Sequence, residues 1–373
     1  MSGWKTYKLS ELVEIKYGKD HKHLADGEIP LYGSGGIMRY VDTPLYEQES
    51  ILIPRKGTLS NLFYLNIPFW SVDTMFYTKI KEGNNGKYLY YLLKSMDLAS
   101  MNVGSAVPSL TTEVLNKVEI NVPDEATQQE IAQILTSLDD KIELNLQMNQ
   151  TLEAMAKALF KEWCWVEDGV VPEGWTWKKL LDIADVSSSK RIFRDEYILN
   201  GVPFYRGKEV TQLSNGEAIS TELFISEERH SEIKEKFGVP QIGDILITSV
   251  GTIGSVWLVD NDAPFYFKDG NVTWIKDYKT AINGEFVYQW LQTKEAKEQI
   301  KSVTIGSSQQ ALTISALRGL NILIPDTETV SNVLIQLEKI NAKRINNLNQ
   351  IQTLTQTRDT LLPKLMSGKL ELV

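Results

Sequence analysis

Thr127-Gln-Gln-Glu-Ile-Ala-Gln-Ile-Leu-Thr-Ser-Leu-Asp-Asp-Lys-Ile-Glu-Leu-Asn-Leu-Gln-Met-Asn149 places Ile131, Leu135, Leu138, Ile142, Asn145 and Asn149 at alternating spacings of four and three. Leu152, Ala156, Leu159 and Trp163 continue the series. A period of 3.5 returns each of these side chains to one face of an α-helix, which is the pattern of a coiled-coil seam. About 37 residues at a rise of ~1.5 Å predict a helix of roughly 55 Å. Thr127 and Glu130 stand at the capping-box spacing after Pro123, so the reading has Thr127 cap the helix and Glu130 reach back. Asn145 and Asn149 sit mid-seam, where an amide weakens the packing but fixes the register.

The same helix returns. Leu135, Leu146, Leu152 and Leu159 recur as Leu337, Leu348, Leu354 and Leu361, at a constant offset of 202, and Asn347 matches Asn145. Val333, Ile340 and Ile351 complete a less regular second seam that ends near Gly368, past Pro363. The offset holds upstream as well: Gly104-Ser-Ala-Val-Pro-Ser-Leu-Thr111 returns as Gly306-Ser-Ser-Gln-Gln-Ala-Leu-Thr313, and Val118–Pro123 as Leu320–Pro325. Earlier segments repeat at drifting offsets. Trp4…Leu9…Leu12 matches Trp175…Leu180…Ile183 at 171, and Ser50-Ile-Leu-Ile53 matches Asp244-Ile-Leu-Ile247 at 194. Ile29-Pro-Leu-Tyr-Gly33 likewise resembles Val202-Pro-Phe-Tyr-Arg206. A fixed frame with variable loops is where a binding protein keeps its specificity.

Short β-rich runs such as Ile51–Pro54, Phe76–Lys81, Ile245–Ser249 and Val272–Lys276 alternate with Gly/Asn/Asp turns, and helical patterns cover 88–101 and 285–302. Each half therefore reads as a mixed α+β domain with a twisted sheet core. The expected boundaries are 1–123 and 166–325 for the globular parts, and 124–165 and 326–373 for the helices. A 55 Å helix overhangs a domain of ~120 residues, whose radius of gyration is only ~14 Å. The expectation is two antiparallel helices packed on each other, with a globular half at each end and a pseudo-two-fold axis.

The chain has 373 residues, one cysteine, three histidines and a net charge of −9. Cys164 alone makes no intrachain disulfide, and so few Cys and His leave little for a metal centre. With no membrane-length apolar run and no signal-peptide core, the expectation is a cytoplasmic protein without a membrane partner. The acid excludes binding to nucleic acid by bulk charge. It is unevenly spread: residues 1–123 carry 13 basic and 13 acidic side chains, whereas 166–325 carry 17 and 22.

Thr127-Gln-Gln-Glu-Ile-Ala, Leu138-Asp-Asp-Lys-Ile-Glu, Leu152-Glu-Ala-Met-Ala-Lys and Leu361-Leu-Pro-Lys-Leu-Met-Ser-Gly-Lys-Leu370, together with the duplication, resemble the specificity subunit of type I restriction–modification systems. The resemblance spans essentially the whole chain. It implies two target recognition domains, each reading half of a split double-stranded DNA target, with the long helices as spacer. It also implies assembly with two copies of an adenine methyltransferase subunit and with restriction subunits, and no catalytic centre or cofactor of its own. The spacer residues would be Ile131, Leu135, Leu138, Ile142, Asn145, Asn149, Leu152 and Leu159, with Leu337, Ile340, Asn347, Leu354 and Leu361.

Other chemistries fit less well. Asn66-Ile-Pro-Phe69 departs from the Asn-Pro-Pro-Phe of amino-methyltransferases and reads as a turn. Gly33-Ser-Gly-Gly36 lacks the Lys-Ser/Thr of a phosphate loop. Asp139-Asp-Lys141 reads as a solvated helix face. For DNA contact, Lys16, Lys19 and Lys22 follow the first repeated strand, and Lys190, Arg191 and Arg194 occupy the matching place in the second half. Such loops suit phosphates or base edges, and equally suit ordinary surface charge. Arg55, Lys56, Arg206 and Lys208 are similar candidates. Ser105, Ser307, Gln309 and Gln310 offer hydroxyls and amides that would read adenine or cap the following helix. The rival from another class is a scaffold whose helices and globular ends bind protein or glycan.

Overall fold

A computed structural model describes residues 4–102, 108–166, 170–217, 219, 221–279, 281–306 and 310–370. The chain forms two compact units: Met1–Asn145 with Gln350–Val373, and Leu146–Asn349. Helices Glu125–Cys164 and Thr327–Met366, 40 residues each, run from one unit into the other, so each unit owns half of both.

The two units repeat one topology. In unit 1 a four-stranded antiparallel sheet runs Val13–Tyr17, Met75–Ile80, Ser50–Pro54, Phe63–Leu65. Unit 2 repeats it as Asp185–Ser187, Val272–Lys276, Ile245–Thr248, Val256–Leu258. A three-stranded sheet flanks each, and in both its middle strand pairs in parallel with a two-residue strand: Leu31 beside Trp70, and Phe204 beside Tyr266. A terminal antiparallel pair closes each unit, Lys5–Lys8 with Glu119–Val122 and Thr176–Lys179 with Asn321–Ile324. The central strands Ser50–Pro54 and Ile245–Thr248 are buried along their whole length, as strands covered on both faces should be. The expected 88–101 helix is helix Gly86–Lys94 followed by a 3-10 turn. The 285–302 helix breaks at Thr293, whose hydroxyl caps the second piece by accepting from the Ala296 N–H.

The seam belongs to both units. In unit 1, Ile131 and Leu135 join Leu365 and Met366 in one core, with Leu361 packed against it. In unit 2, Ala156, Phe160 and Cys164 join Val330, Val333 and Leu337, with Leu159 and Ile340 alongside. These pairings bring the start of one long helix to the end of the other, so they run antiparallel. Asn145, Asn149 and Asn347 are all buried. Asn347 donates to the Asn149 side chain (2.9 Å), Asn145 donates to Gln350 (3.3 Å), and Asn149 to the Arg344 carbonyl (3.4 Å). The Asn347 Oδ1 has no partner among the described residues, but the three amide donors find acceptors only in this register, so they favour it.

Three expectations are corrected here. Trp163 is 39% exposed, while Phe160 and Cys164 turn inward, because an α-helix drifts about 20° per heptad from a 3.5-residue repeat. Thr127 does not cap the first helix. Asp124 does, accepting the Thr127 N–H at 3.0 Å, and Asp326 does the same for Thr329 at 3.0 Å, again 202 residues on. Asp139 is not a solvated acid: Tyr91 donates to it at 2.7 Å and Arg358 at 2.8 Å. Past Pro363, the helix stops at Gly368, whose φ of +65° suits glycine and whose Cβ would lie 3.0 Å from the Trp4 ring.

Burial pushes the Cys164 thiol up to about 12, so it packs as an apolar group rather than a nucleophile. Among the described residues, no helix is long and apolar enough to cross a membrane.

Candidate nucleic-acid interface

At one edge of unit 1 two strand-end segments meet and a third lies beside them. The chain leaving Ser50–Pro54 passes through Arg55, Lys56 and Gly57 and is met by residues 108–110. Leu110 N–H donates to the Arg55 carbonyl (2.9 Å), Gly57 N–H to the Pro108 carbonyl (3.2 Å), and Lys56 bridges Ser109. The hairpin turn at Gly33–Gly36 adjoins them, with Ser34 Oγ 3.2 Å from where a Gly57 Cβ would be. Tyr17, at the end of the first sheet strand, is 51% exposed and lies under Arg55, 5.5 Å from ring centroid to guanidinium. Its hydroxyl reaches Thr112 Oγ1 (3.4 Å). An aromatic face, a guanidinium and an exposed lysine thus share one border of the sheet.

Unit 2 builds the same border from the matching segments. Leu312 N–H donates to the Ser249 carbonyl (2.9 Å), and Val250 bridges Ala311, the neighbour of exposed Gln310. The third segment differs. Where unit 1 turns at Gly33, unit 2 has Arg206, which opens helix Gly207–Ser214; a Cβ on Gly207 would lie 3.8 Å from the Val250 carbonyl. Arg206 is clamped by Glu209: its backbone N–H donates at 2.8 Å, Nη2 at 2.8 Å and Nε at 3.3 Å. Glu209 is fully buried, and a buried carboxylate persists only when paired. Burial alone would raise its pKa, yet the Arg206 bonds hold it below the ordinary range, so it is ionised.

The loop 188–194 of unit 2 lies alongside. The Lys190 backbone N–H donates to the Tyr266 hydroxyl (2.7 Å), and its ammonium sits 5.1 Å from the Phe237 ring centroid. Arg191 pairs with Asp269 (2.8 Å). Arg194, Arg206 and Asp269 all act electrostatically on the Tyr197 hydroxyl, although burial dominates the upward shift of its pKa. A cavity of about 300 Å³ opens here, lined by Ser187–Lys190, Trp274 and Lys276 among others. Lys276 Nζ lies 4.1 Å from the Trp274 ring centroid, and Ser187 and Ser189 hold buried hydroxyls with no hydrogen-bond partner among the described residues.

The structure thus gathers Arg55 and Lys56 in unit 1, and Lys190, Arg191, Arg194, Arg206 and Gln310 in unit 2. Lys208 is exposed on the helix that Arg206 opens. Lys19 and Lys22 are exposed on a loop pinned by Trp70, which donates to the Lys19 carbonyl at 3.1 Å, and by Arg39, which donates to the carbonyls of His21 and Leu24. Gly18 starts this loop; a Cβ there would lie 2.0 Å from the Val72 carbonyl. Lys16 is corrected: it lies inside the strand, not in the loop, and pairs with Glu14 at 2.6 Å. Ser105, Ser307 and Gln309 lie outside the described residues. Sequence reasoning missed Tyr17, Lys276 and Glu209. Only Glu209 carried a local signal, since an acid three residues after a helix start is the capping-box spacing. Among the described residues, no group of three His, Cys, Asp or Glu could hold a metal ion.

Each half of the chain is thus an α+β unit of one topology with a polar, partly basic loop edge, and two long antiparallel helices pack together as a frame. The chain belongs to the type I restriction modification DNA specificity domain family, whose model matches residues 1–154 and again 172–363. It is 28% identical over 325 residues to a putative type I restriction enzyme specificity subunit of Haemophilus influenzae, covering 84% of this chain and 80% of that one. It is 31% identical over 311 residues to the MjaIX specificity subunit of Methanocaldococcus jannaschii, covering 78% and 70%. The crystal structure of the S subunit of a type I restriction–modification system from M. genitalium shares the fold, with a TM-score of 0.66 at 17% identity, over 97% of this chain and 96% of that one.

Proposed function

We propose that this chain is the sequence-reading, non-catalytic subunit of a type I restriction–modification complex. Each unit reads one half of a split DNA target, and the paired long helices set the number of unread base pairs between the halves. Two copies of an adenine methyltransferase subunit dock on the duplicated frame, restriction subunits join them, and all chemistry is theirs. The observation that carries this reading is the repeated edge: the same strand ends meet in both units, and different side chains stand on them. One frame with two different faces is what an asymmetric, bipartite target requires. Phosphate contacts from exposed lysines fix the position, and directional donors on the edge read the bases. The net charge of −9 confines attraction for DNA to such local patches.

The test is to express the chain with its methyltransferase subunit in a host without adenine methylation and to sequence the methylated adenines. The expected result is one gapped motif with two dissimilar halves. A stable complex that methylates no gapped motif sinks the DNA reading and favours the protein-binding scaffold.

A further inference from the structure

Resting on that reading, we infer that Arg206 reads a guanine in the half-site of unit 2 and that buried Glu209 is the positioning residue that makes it a base reader. An isolated arginine on a loop edge is mobile and binds phosphate as readily as a base. Arg206 is neither isolated nor mobile. Its Nε and Nη2 face the Glu209 carboxylate, which is fully buried and fixed at the start of helix Gly207–Ser214. The Arg206 side chain remains 35% exposed.

An arginine has five N–H donors, and two are used on Glu209. Among the described residues the Nη1 pair and the second Nη2 hydrogen meet no acceptor, and they lie along the edge that makes bidentate bonds to guanine O6 and N7. The charge count separates a base from a phosphate. The Arg206–Glu209 pair is neutral, and Glu222 adds negative charge within electrostatic range. A neutral pair releases few counterions and gains little from a phosphate, but its directional donors are undiminished. The position fits, because the next residue, Gly207, abuts Val250 at the edge where Gln310 also stands. Unit 1 carries Gly33 at the matching place, so this contact belongs to one half-site only.

The test uses the full chain assembled with its methyltransferase subunits. The probes are duplexes bearing the methylated motif, each with one guanine replaced by 7-deazaguanine, which lacks the N7 acceptor. The wild-type complex is expected to lose roughly 5- to 150-fold in affinity at one guanine of one half-site. Arg206→Lys, which keeps the charge but loses the planar fork, should bind the unmodified duplex that much more weakly and be indifferent to the 7-deaza change. Glu209→Gln leaves an uncompensated cation. Its discrimination should fall while binding to unrelated DNA rises and the salt dependence steepens by about 0.9 in log–log slope. A Glu209 that merely caps its helix would lower the melting temperature without moving that slope. Arg206→Lys retains the buried carboxylate and a positive partner, so its result stands whether or not Glu209→Gln folds. An Arg206→Lys complex that binds every duplex about as tightly as the parent, with an unchanged salt slope, would make the residue a phosphate contact and overturn the inference. So would a motif whose guanines are all insensitive. A complex that methylates no gapped motif would instead overturn the DNA-reading function itself.

Discussion

Unit 1 and unit 2 share their strand orders and the caps of their long helices, yet they part company sharply at one strand end. In unit 1 the strand Asp26–Gly33 turns back through Gly36 into an antiparallel partner. In unit 2 the matching strand Val202–Tyr205 runs into Arg206 and a helix. The frame is held mainly by buried apolar side chains, where a change of size or polarity costs stability. The edge is held mainly by backbone hydrogen bonds, which accept almost any side chain. Recognition can therefore diverge between the copies at little cost to folding.

The largest effect is expected in the frame. Leu135 and Leu337 are copies, each fully buried in its own unit. Leu135→Ala and Leu337→Ala should each cost about 2–5 kcal/mol. Hydrogen exchange should show the loss in unit 1 for the first and in unit 2 for the second. Equal loss of protection in both units from either change would mean that they unfold as one body.

A smaller effect is expected at the edge of unit 2. Replacing Lys190, Arg191 and Arg194 together with Ala should weaken DNA binding and flatten its log–log salt dependence by roughly 1 to 2, less than three full contacts, because Arg191 already faces Asp269. Only one half-site should be affected. Unchanged affinity and slope in a salt titration would remove that loop from the interface.

The smallest effect is at the caps. Backbone N–H groups hold the Asp124 and Asp326 carboxyls below the usual carboxylate range. Such stabilisation is present above the ordinary pKa and is lost as pH falls through the lowered one. Asp124→Ala and Asp326→Ala should lower the melting temperature at neutral pH, Asp326→Ala more, since Asp326 also accepts the Thr329 hydroxyl at 2.8 Å. The difference from the parent should close in strong acid; a difference that persists there would show that the charge is not what caps the helix.

The frame was legible because its signals are local or periodic: a 3.5-residue seam, three amides within it, and an offset of 202. Its end was misread at Trp163 because the drift of a real helix accumulates with length. The cap was misread because Asp124 and Thr127 both suit the role and both recur 202 residues on, as Asp326 and Thr329, so the repeat does not choose between them. The edge was legible as a set of residues but not as a place. Lys56 and Ser109, or Val250 and Ala311, meet only through pairing across more than fifty residues of chain. Glu209 was hidden for another reason: an acid on a short helix looks solvated until its burial is known.

The division of the chain has a consequence for biosynthesis. Unit 2 is one continuous stretch, so its core can close while the chain is still being made. Unit 1 is not: its core waits for Leu361, Leu362, Leu365 and Met366, which are translated more than 200 residues after the strands they cover. Until then the seam face of Ile131 and Leu135 stands open to water. A growing chain therefore carries that face uncovered for as long as unit 2 takes to be synthesised.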